Sequence, residues 1–143
     1  MKIGAVAVLW AALLGPSTAP EEVDFSVLSG FDYIEGKELP GEVERLHETE
    51  VTLAGFMQRE DDGSGPVEYF MLIDDACGCE GTPKLNEIVF CAMPEGETTD
   101  ILAGVTTMTG KLFVEEIVED DVVVALYTMD VDSIDTLDAP SPP

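Results

Sequence analysis

Apolar and polar positions alternate in short runs from residue 50 onward. The run "EVTLAGFM" (50–57) is rich in strand-forming residues, and "VEYFMLID" (67–74) places apolar side chains on alternate positions. Between them, "QREDDGSGP" contains Asp-Gly and Gly-Pro pairs, which are typical of turns. The pattern predicts a β-hairpin over residues 50–74.

Three further runs predict three more strands. They are "EIVFCAM" (87–93), "TTMTGKLFVEE" (106–116) and "VVVALYTMDV" (122–131). The second of these has one apolar face, made of Met108, Gly110, Leu112 and Val114. The third is apolar on both faces for most of its length, which is typical of a strand covered on both sides.

Glycines at two positions interrupt strands that are otherwise well formed. Gly55 and Gly110 each stand inside an apolar run, where glycine costs stability and usually marks a bulge or a sharp bend. Five bent strands with little helix predict an all-β fold. We expect a five-stranded closed barrel over residues 50–134, similar in architecture to the oligonucleotide/oligosaccharide-binding (OB) barrel. This analogy concerns the fold and implies no function.

The first residues have the pattern of a secretory leader. Lys2 precedes an apolar run (3–14), which is followed by glycine, proline and small residues. The apolar run is shorter than the ~20 residues that a membrane span needs. We therefore predict a signal peptide over residues 1–19, and a protein exported to the periplasm or secreted, with no membrane association once the leader is removed.

The remaining segments flank the predicted barrel. Residues 20–49 form an N-terminal segment in which "LPGEVERLHE" predicts one short helix, with Leu39, Val43 and Leu46 on one side. Residues 135–143 are acidic and proline-rich, and we expect them to be disordered.

The charge balance excludes several classes of partner. The chain has 6 Lys plus Arg against 30 Asp plus Glu, a net charge of −24, and removal of the leader with Lys2 leaves 5 − 30 = −25. Such a field repels phosphate groups, so nucleic acids and anionic membranes are excluded. Solubility in a saline medium explains the acidity without a ligand; capture of a cationic ligand is the alternative.

The loop "DACGCEGTPKLNE" (75–87) contains the chemistry that the sequence offers. In an oxidising compartment, Cys77 or Cys79 is expected to form a disulfide with Cys91, closing a ring that stabilises the fold by roughly 3 kcal/mol. A strained Cys77–Cys79 bond would instead be exchangeable. In a third hypothesis, all three thiols bind copper or zinc together with methionines. The residues alone leave these alternatives open.

Other candidate sites are weaker. Lys84, Asn86 and Glu87 end the cysteine loop, where Asn86 and Glu87 are expected to shape its exit and an exposed Lys84–Asn86 pair is a candidate ligand contact. His47 has no serine or cysteine partner that would indicate a catalytic base. Acidic runs such as "DVDSIDTLD" lack the glycine that calcium loops use.

Several segments resemble a known family. "LAGFMQ" (53–58), residues 67–96 around the cysteines, "TGKLFVEE" (109–116) and "LYTMDVDSI" (126–134) are similar to exported bacterial proteins of planctomycetes and proteobacteria, a family classed as a domain of unknown function. The Cys-Gly…Pro-Lys-Leu-Asn-Glu run is the most specific part. The resemblance implies an exported, barrel-like single domain with no assigned reaction.

These observations favour a protein that is not an enzyme and needs no cofactor. We expect an exported binding or interaction module, with a cysteine-stapled loop, for an unidentified protein or small ligand. Metal handling with copper or zinc through the three cysteines is the alternative, and thiol–disulfide exchange is a third hypothesis.

Overall fold

The computed structural model describes residues 19–74 and 83–136. The predicted leader, the loop segment with Cys77 and Cys79, and the tail beyond Thr136 lie outside the described residues.

The described chain is mostly β-structure arranged in one six-stranded sheet. Its strands are β1 (Glu21–Val23), β2 (Thr49–Gln58), β3 (Tyr69–Ile73), β4 (Ile88–Ala92), β5 (Val105–Glu119) and β6 (Val122–Thr136). The last five correspond to the five strands predicted from the alternating pattern. The short strand β1 was not predicted.

The strand order is β1-β2-β3-β4-β6-β5, with a further pairing between β2 and β5. Strand β2 pairs with β1 in parallel over Val51–Leu53, and with β3 in an antiparallel hairpin near its end. Its other edge pairs antiparallel with β5 over Thr49–Phe56. Strands β4 and β6 run parallel, whereas β3 and β4, and β5 and β6, run antiparallel.

The N-terminal segment packs against this sheet through two short helices, where the pattern predicted one. Helix α1 (Phe25–Ser29) begins at Asp24, whose Oδ1 accepts a hydrogen bond from the Ser26 amide at 3.0 Å. Helix α2 (Gly41–Glu44) is the predicted helix, and Val43 and Leu46 are buried as expected. The missed helix has only five residues, too few for a helical period to show in the sequence.

Two tyrosines hold this segment to the sheet. Tyr127 of β6 is fully buried, and its hydroxyl donates to the Leu28 carbonyl of α1 at 2.8 Å. Tyr33 donates to Glu116 Oε1 at 2.6 Å, and the same carboxylate accepts from the Gly36 amide at 3.0 Å. The N-terminal segment therefore extends the sheet and its core instead of forming a separate unit.

Close backbone contacts explain the two strand glycines. A Cβ at Gly55 would lie 2.7 Å from the Ile73 carbonyl oxygen, and one at Gly110 would lie 2.2 Å from the Asp130 carbonyl oxygen. The pairing of β5 with β6 also shifts register between Thr109 and Gly110. The register shift agrees with the bulge expected at Gly110, whereas at Gly55 the structure shows a close backbone approach and an unbroken pairing with β5.

Strands β5 and β6 form a long hairpin joined by a tight two-residue turn. Asp120 and Asp121 have φ values of 49° and 63°, as a type I′ turn requires, and Glu119 pairs with Val122. The inward face of β5 buries the predicted residues Met108, Leu112 and Val114.

Among the helices of residues 19–74 and 83–136, none has the length and apolar character needed to cross a membrane.

Candidate functional site

The end of strand β4 opens a notch in the surface of the sheet. β4 stops at Ala92, and Pro94 follows two residues later, where it removes a backbone donor that a strand would use. The Met93 amide donates to the Glu68 carbonyl at 2.8 Å, which extends the contact with the β3 side by one residue. Strand β6 continues beyond this point without β4 beside it.

Two adjoining hollows lie at the notch. One, of about 320 Å³, lies between the end of β4 and β6 and is lined by Ala92, Met93, Pro94, Glu95, Asp130, Val131 and Asp132. The other, of about 250 Å³, extends toward β3 and is lined by Glu68, Tyr69, Met93, Pro94, Glu95 and Gly96. Because Met93, Pro94 and Glu95 belong to both, we treat them as one depression and call it the Met93 groove.

The groove combines apolar surface with carboxylates. Tyr69 has 60% of its surface exposed, one of the most exposed large apolar side chains of the described chain. Met93 and Pro94 are its apolar residues, and four acidic residues also line it, Glu68, Glu95, Asp130 and Asp132. A tyrosine ring beside carboxylates is a surface on which a cation and its hydrophobic stem can both bind.

Carboxylates are crowded at the β6 side of the groove. Glu50 of β2 lies opposite Lys111 of β5, which in turn lies opposite Asp130 of β6. A hydrogen bond to Asp132, partial burial and the charge of Asp132 raise the pKa of Glu50, while Lys111 opposes this shift. Lys111 therefore lies opposite two carboxylates, with Asp132 as a third beside Glu50, and the local field favours an additional positive charge.

Cys91 is the one candidate thiol that the structure describes, and it is a core residue. It lies on β4 opposite Phe70 and Met129, with 2% of its surface exposed. Its Sγ is 3.5 Å from the Val89 carbonyl oxygen and 3.7 Å from Met108 Sδ. Burial, followed by the charge of Glu60, raises the pKa of this thiol, so the thiolate that metal binding and exchange require is disfavoured.

Within residues 19–74 and 83–136 no group of three or more His, Cys, Asp or Glu side chains has the arrangement of a metal site. The proposed pairing of Cys91 with Cys77 or Cys79 involves residues outside the described range, and it stays a prediction.

The burial of Cys91 predicts its chemical behaviour. In the native protein we expect iodoacetamide to leave Cys91 unmodified at pH 8, because a buried neutral thiol is a poor nucleophile. After unfolding in urea, Cys91 should react. Peptide mapping by mass spectrometry after alkylation under both conditions, with a reductant present in one parallel sample, measures this. Rapid native modification of Cys91 would contradict its position in the core.

The proposed ligand loop is mainly a structural device. Asn86 has 1% of its surface exposed, and its Nδ2 donates to the carbonyls of Ser29 at 3.3 Å and Phe31 at 2.8 Å. Glu87 accepts from the Lys84 amide at 2.8 Å at the start of a 3-10 turn (Leu85–Glu87). The exposed Lys84–Asn86 pair was wrong, because Asn86 faces the backbone after α1 and only Lys84 is exposed.

His47 also has a structural contact. Its Nδ1 accepts a hydrogen bond from the Val114 amide at 2.9 Å, and its ring lies edge-on to Phe113 with centroids 6.0 Å apart. The imidazole therefore completes the edge of β5 beyond the end of β2. This geometry gives no indication of a catalytic base.

Sequence reasoning missed the Met93 groove. Its residues come from the start of β3, the segment after β4 and the middle of β6, and none belongs to a motif with a known chemical role. The proline two residues after β4 was the one local signal, because it ends a strand while β6 continues.

Comparison with one solved structure supports the fold. A crystal structure of a DUF3299 family protein from Pseudomonas aeruginosa PAO1 aligns with a TM-score of 0.58 and 20% identity, covering 86% of this chain and 99% of that one. The S. pombe Stn1–Ten1 complex aligns with a TM-score of 0.41 and 11% identity, covering 87% of this chain and 82% of that one. No curated protein matches the sequence.

The family comparison is more specific. Residues 36–136, from the segment before α2 to the end of β6, match the profile described as "Protein of unknown function (DUF3299)". This match includes β2 to β6 and all residues of the Met93 groove, and it spans well over half of the 143 residues. The chain therefore belongs to the DUF3299 family.

Proposed function

We propose that this protein is an exported, non-enzymatic binding module whose recognition surface is the Met93 groove. The observation that carries the proposal is the combination of an exposed tyrosine, an apolar floor and four carboxylates in one depression. The pattern of a secretory leader supports export.

The supporting scaffold is an OB-like closed barrel of five strands. Each strand from β2 to β6 has two neighbours among the other four, in the cyclic order β2-β3-β4-β6-β5-β2. A cyclic pairing order is what a closed barrel requires, and the glycines at close strand crossings are typical of small barrels. Such a scaffold holds the groove residues on strand ends, which favours a preformed site.

The charge of the groove selects the ligand class. With four carboxylates in the depression and a net charge of −24 for the chain, an anionic ligand would be repelled. A ligand with an amine or guanidinium group and an apolar portion would gain both charge attraction and contact with Tyr69 and Met93. The cationic-ligand explanation of the acidity is therefore favoured at this location.

Metal handling by the cysteines has less support. Copper or zinc would need a thiolate at Cys91, whose burial among Phe70, Met108 and Met129 disfavours that charge. A copper or zinc site based on Cys77 and Cys79 stays a prediction, as does the disulfide staple.

Amide chemical-shift mapping tests the binding proposal. The ¹⁵N-labelled protein is titrated with the tripeptide amide acetyl-Lys-Trp-Lys in about 0.15 M salt, with acetyl-Glu-Trp-Glu as the matched anionic probe. We expect shifts concentrated at residues 68–69, 92–96 and 130–132 for the cationic peptide, and none for the anionic one.

Two variants distinguish binding at the groove from nonspecific attraction by the acidic surface. Tyr69→Ala and Glu95→Gln should each reduce the affinity for the cationic peptide by roughly two- to fivefold, since each contact is solvent-exposed. Glu119→Gln, at the far tip of the β5–β6 hairpin, removes the same charge as Glu95→Gln away from the groove and should leave binding unchanged. Shifts spread evenly over the surface, or equal effects of the Glu95 and Glu119 variants, would exclude the groove as the binding site.

A further inference from the structure

Strand β6 has a free edge beside the Met93 groove. β5 pairs with β6 along nearly its whole length, from Val122 to Thr136. On the opposite edge, β4 pairs with β6 only over Tyr127–Asp130. From Val131 to Thr136, that edge has no strand partner and no other backbone hydrogen bond within the described parts of the chain.

This edge is accessible from the groove. The larger hollow lies where β4 departs, between Ala92–Glu95 and Asp130–Asp132, so it opens onto the first residues of the free edge. Asp132, Ser133 and Asp135 are exposed. An unpaired strand edge presents backbone N–H and C=O groups at the spacing that another extended chain requires.

The charges next to the edge determine which chain can occupy it. Residues 130–136 include three aspartates, residues 92–104 include Glu95, Glu97 and Asp100, and neither segment contains a lysine or arginine. A second copy pairing through this edge would bring two such sets of carboxylates together, which is unfavourable. An extended segment rich in lysine or arginine would instead place its cations against them.

We propose that an extended, basic polypeptide segment of a partner protein adds to β6 over residues 131–136 as a further strand, with its flanking side chains in the Met93 groove. This inference rests on the proposed function and names the ligand class of the same site. Backbone hydrogen bonds provide the register, since they are independent of side chains. Alternate side chains face the carboxylates, because successive residues of a strand point to opposite faces.

The test uses three versions of one probe, a fluorescent decapeptide of alternating lysine and valine. Two versions carry N-methyl groups, one on every lysine and the other on every valine. Successive N–H groups of a strand point to opposite edges, so each methylated version blocks one edge. We expect anisotropy titrations with the full protein to show at least about tenfold weaker binding for one methylated version and nearly unchanged binding for the other.

Hydrogen exchange provides a second readout. The unmodified peptide should slow amide exchange in residues 131–136, while the tolerated methylated version does the same and the blocked version does not. The double variant Asp132→Asn with Asp135→Asn should weaken binding several-fold, whereas Glu119→Gln should not. Both variants change exposed side chains, so folding is expected to be unaffected.

The outcomes distinguish failure of strand addition from failure of the proposed binding function. Equal affinity of the three peptides, equal loss for both methylated versions, or unchanged exchange at 131–136 would overturn strand addition. The binding function would still stand if the tripeptide maps to the groove, and it would fail with the inference if neither probe binds there. Concentration-dependent protection of 131–136 without peptide, with a dimer in sedimentation, would overturn the proposal in favour of a second copy.

Discussion

Replacement of Gly110 by alanine is expected to destabilise the fold by about 3 kcal/mol or more, at the upper end of the cost of overpacking a core. The added Cβ would lie 2.2 Å from the Asp130 carbonyl oxygen and 3.0 Å from Met129 Cγ. The backbone of β6 would have to move, because the nearest atom is not the end of a flexible side chain. Since Gly110 also pairs with Val51 of β2, this movement would disturb three strands at once.

Urea unfolding followed by circular dichroism measures the loss of free energy of unfolding. In thermal unfolding, the midpoint temperature should fall by roughly 10 °C or more. Gly41→Ala is the matched control, because a Cβ there meets nothing within 4 Å and the residue begins α2. It should be neutral or slightly stabilising. Similar stabilities for the two variants would mean that β5 and β6 do not approach as closely as described.

The strands were predictable because their signals are local. In β5, four apolar residues on alternate positions require one face to be buried, and this face is buried in the structure. Gly110 within that run predicted a bulge or a sharp bend, and the pairing of β5 with β6 shifts register there.

The remaining features depend on contacts between distant residues. Strand β1 has three residues and pairs with β2, so its own sequence has no period to read. The free edge of β6 arises because β4 ends at Ala92, opposite Asp130, whereas β6 continues for six more residues to Thr136. Neither segment reveals this difference alone, which is why the Met93 groove was found only in three dimensions.

For the candidate site residues, too, the local sequence was informative and the distant contacts were not predicted. Cys91 was grouped with Cys77 and Cys79 by residue type, although its position on the buried face of β4 gives it the environment of a core side chain. Asn86 was grouped with Lys84 by proximity in the chain. Its side chain instead faces Ser29 and Phe31, more than fifty residues away. Residue type and spacing identified both segments, while burial determined what each side chain does.

Substitution of Asn86 by aspartate is expected to destabilise the protein by about 3–5 kcal/mol at pH 7, the cost of leaving a buried charge without a partner. The two side chains have nearly the same shape, so the change removes the Nδ2 donors with little change in packing. A carboxylate oxygen would then face the Ser29 and Phe31 carbonyl oxygens, which are 3.3 and 2.8 Å from Nδ2.

The destabilisation by Asn86→Asp should become smaller at lower pH. Burial and the facing carbonyls raise the pKa of the introduced carboxyl above its value of about 3.9 in the unfolded chain. The variant's loss of stability relative to the wild type is therefore largest above the raised folded-state pKa. This loss becomes smaller as the pH falls toward the unfolded-state pKa. Urea unfolding of the wild type and Asn86→Asp at pH 7 and pH 5 should show a smaller difference at pH 5.

Lys84→Ala is the control from the same loop. Lys84 is exposed, and its backbone contacts with Glu87 survive the substitution. The free energy of unfolding of the variant should therefore remain within about 0.5 kcal/mol of the wild type. An Asn86→Asp protein as stable as the wild type would instead show that Asn86 does not hold the chain after α1. The Asn86 side chain would then be open to solvent, as the exposed-pair hypothesis required.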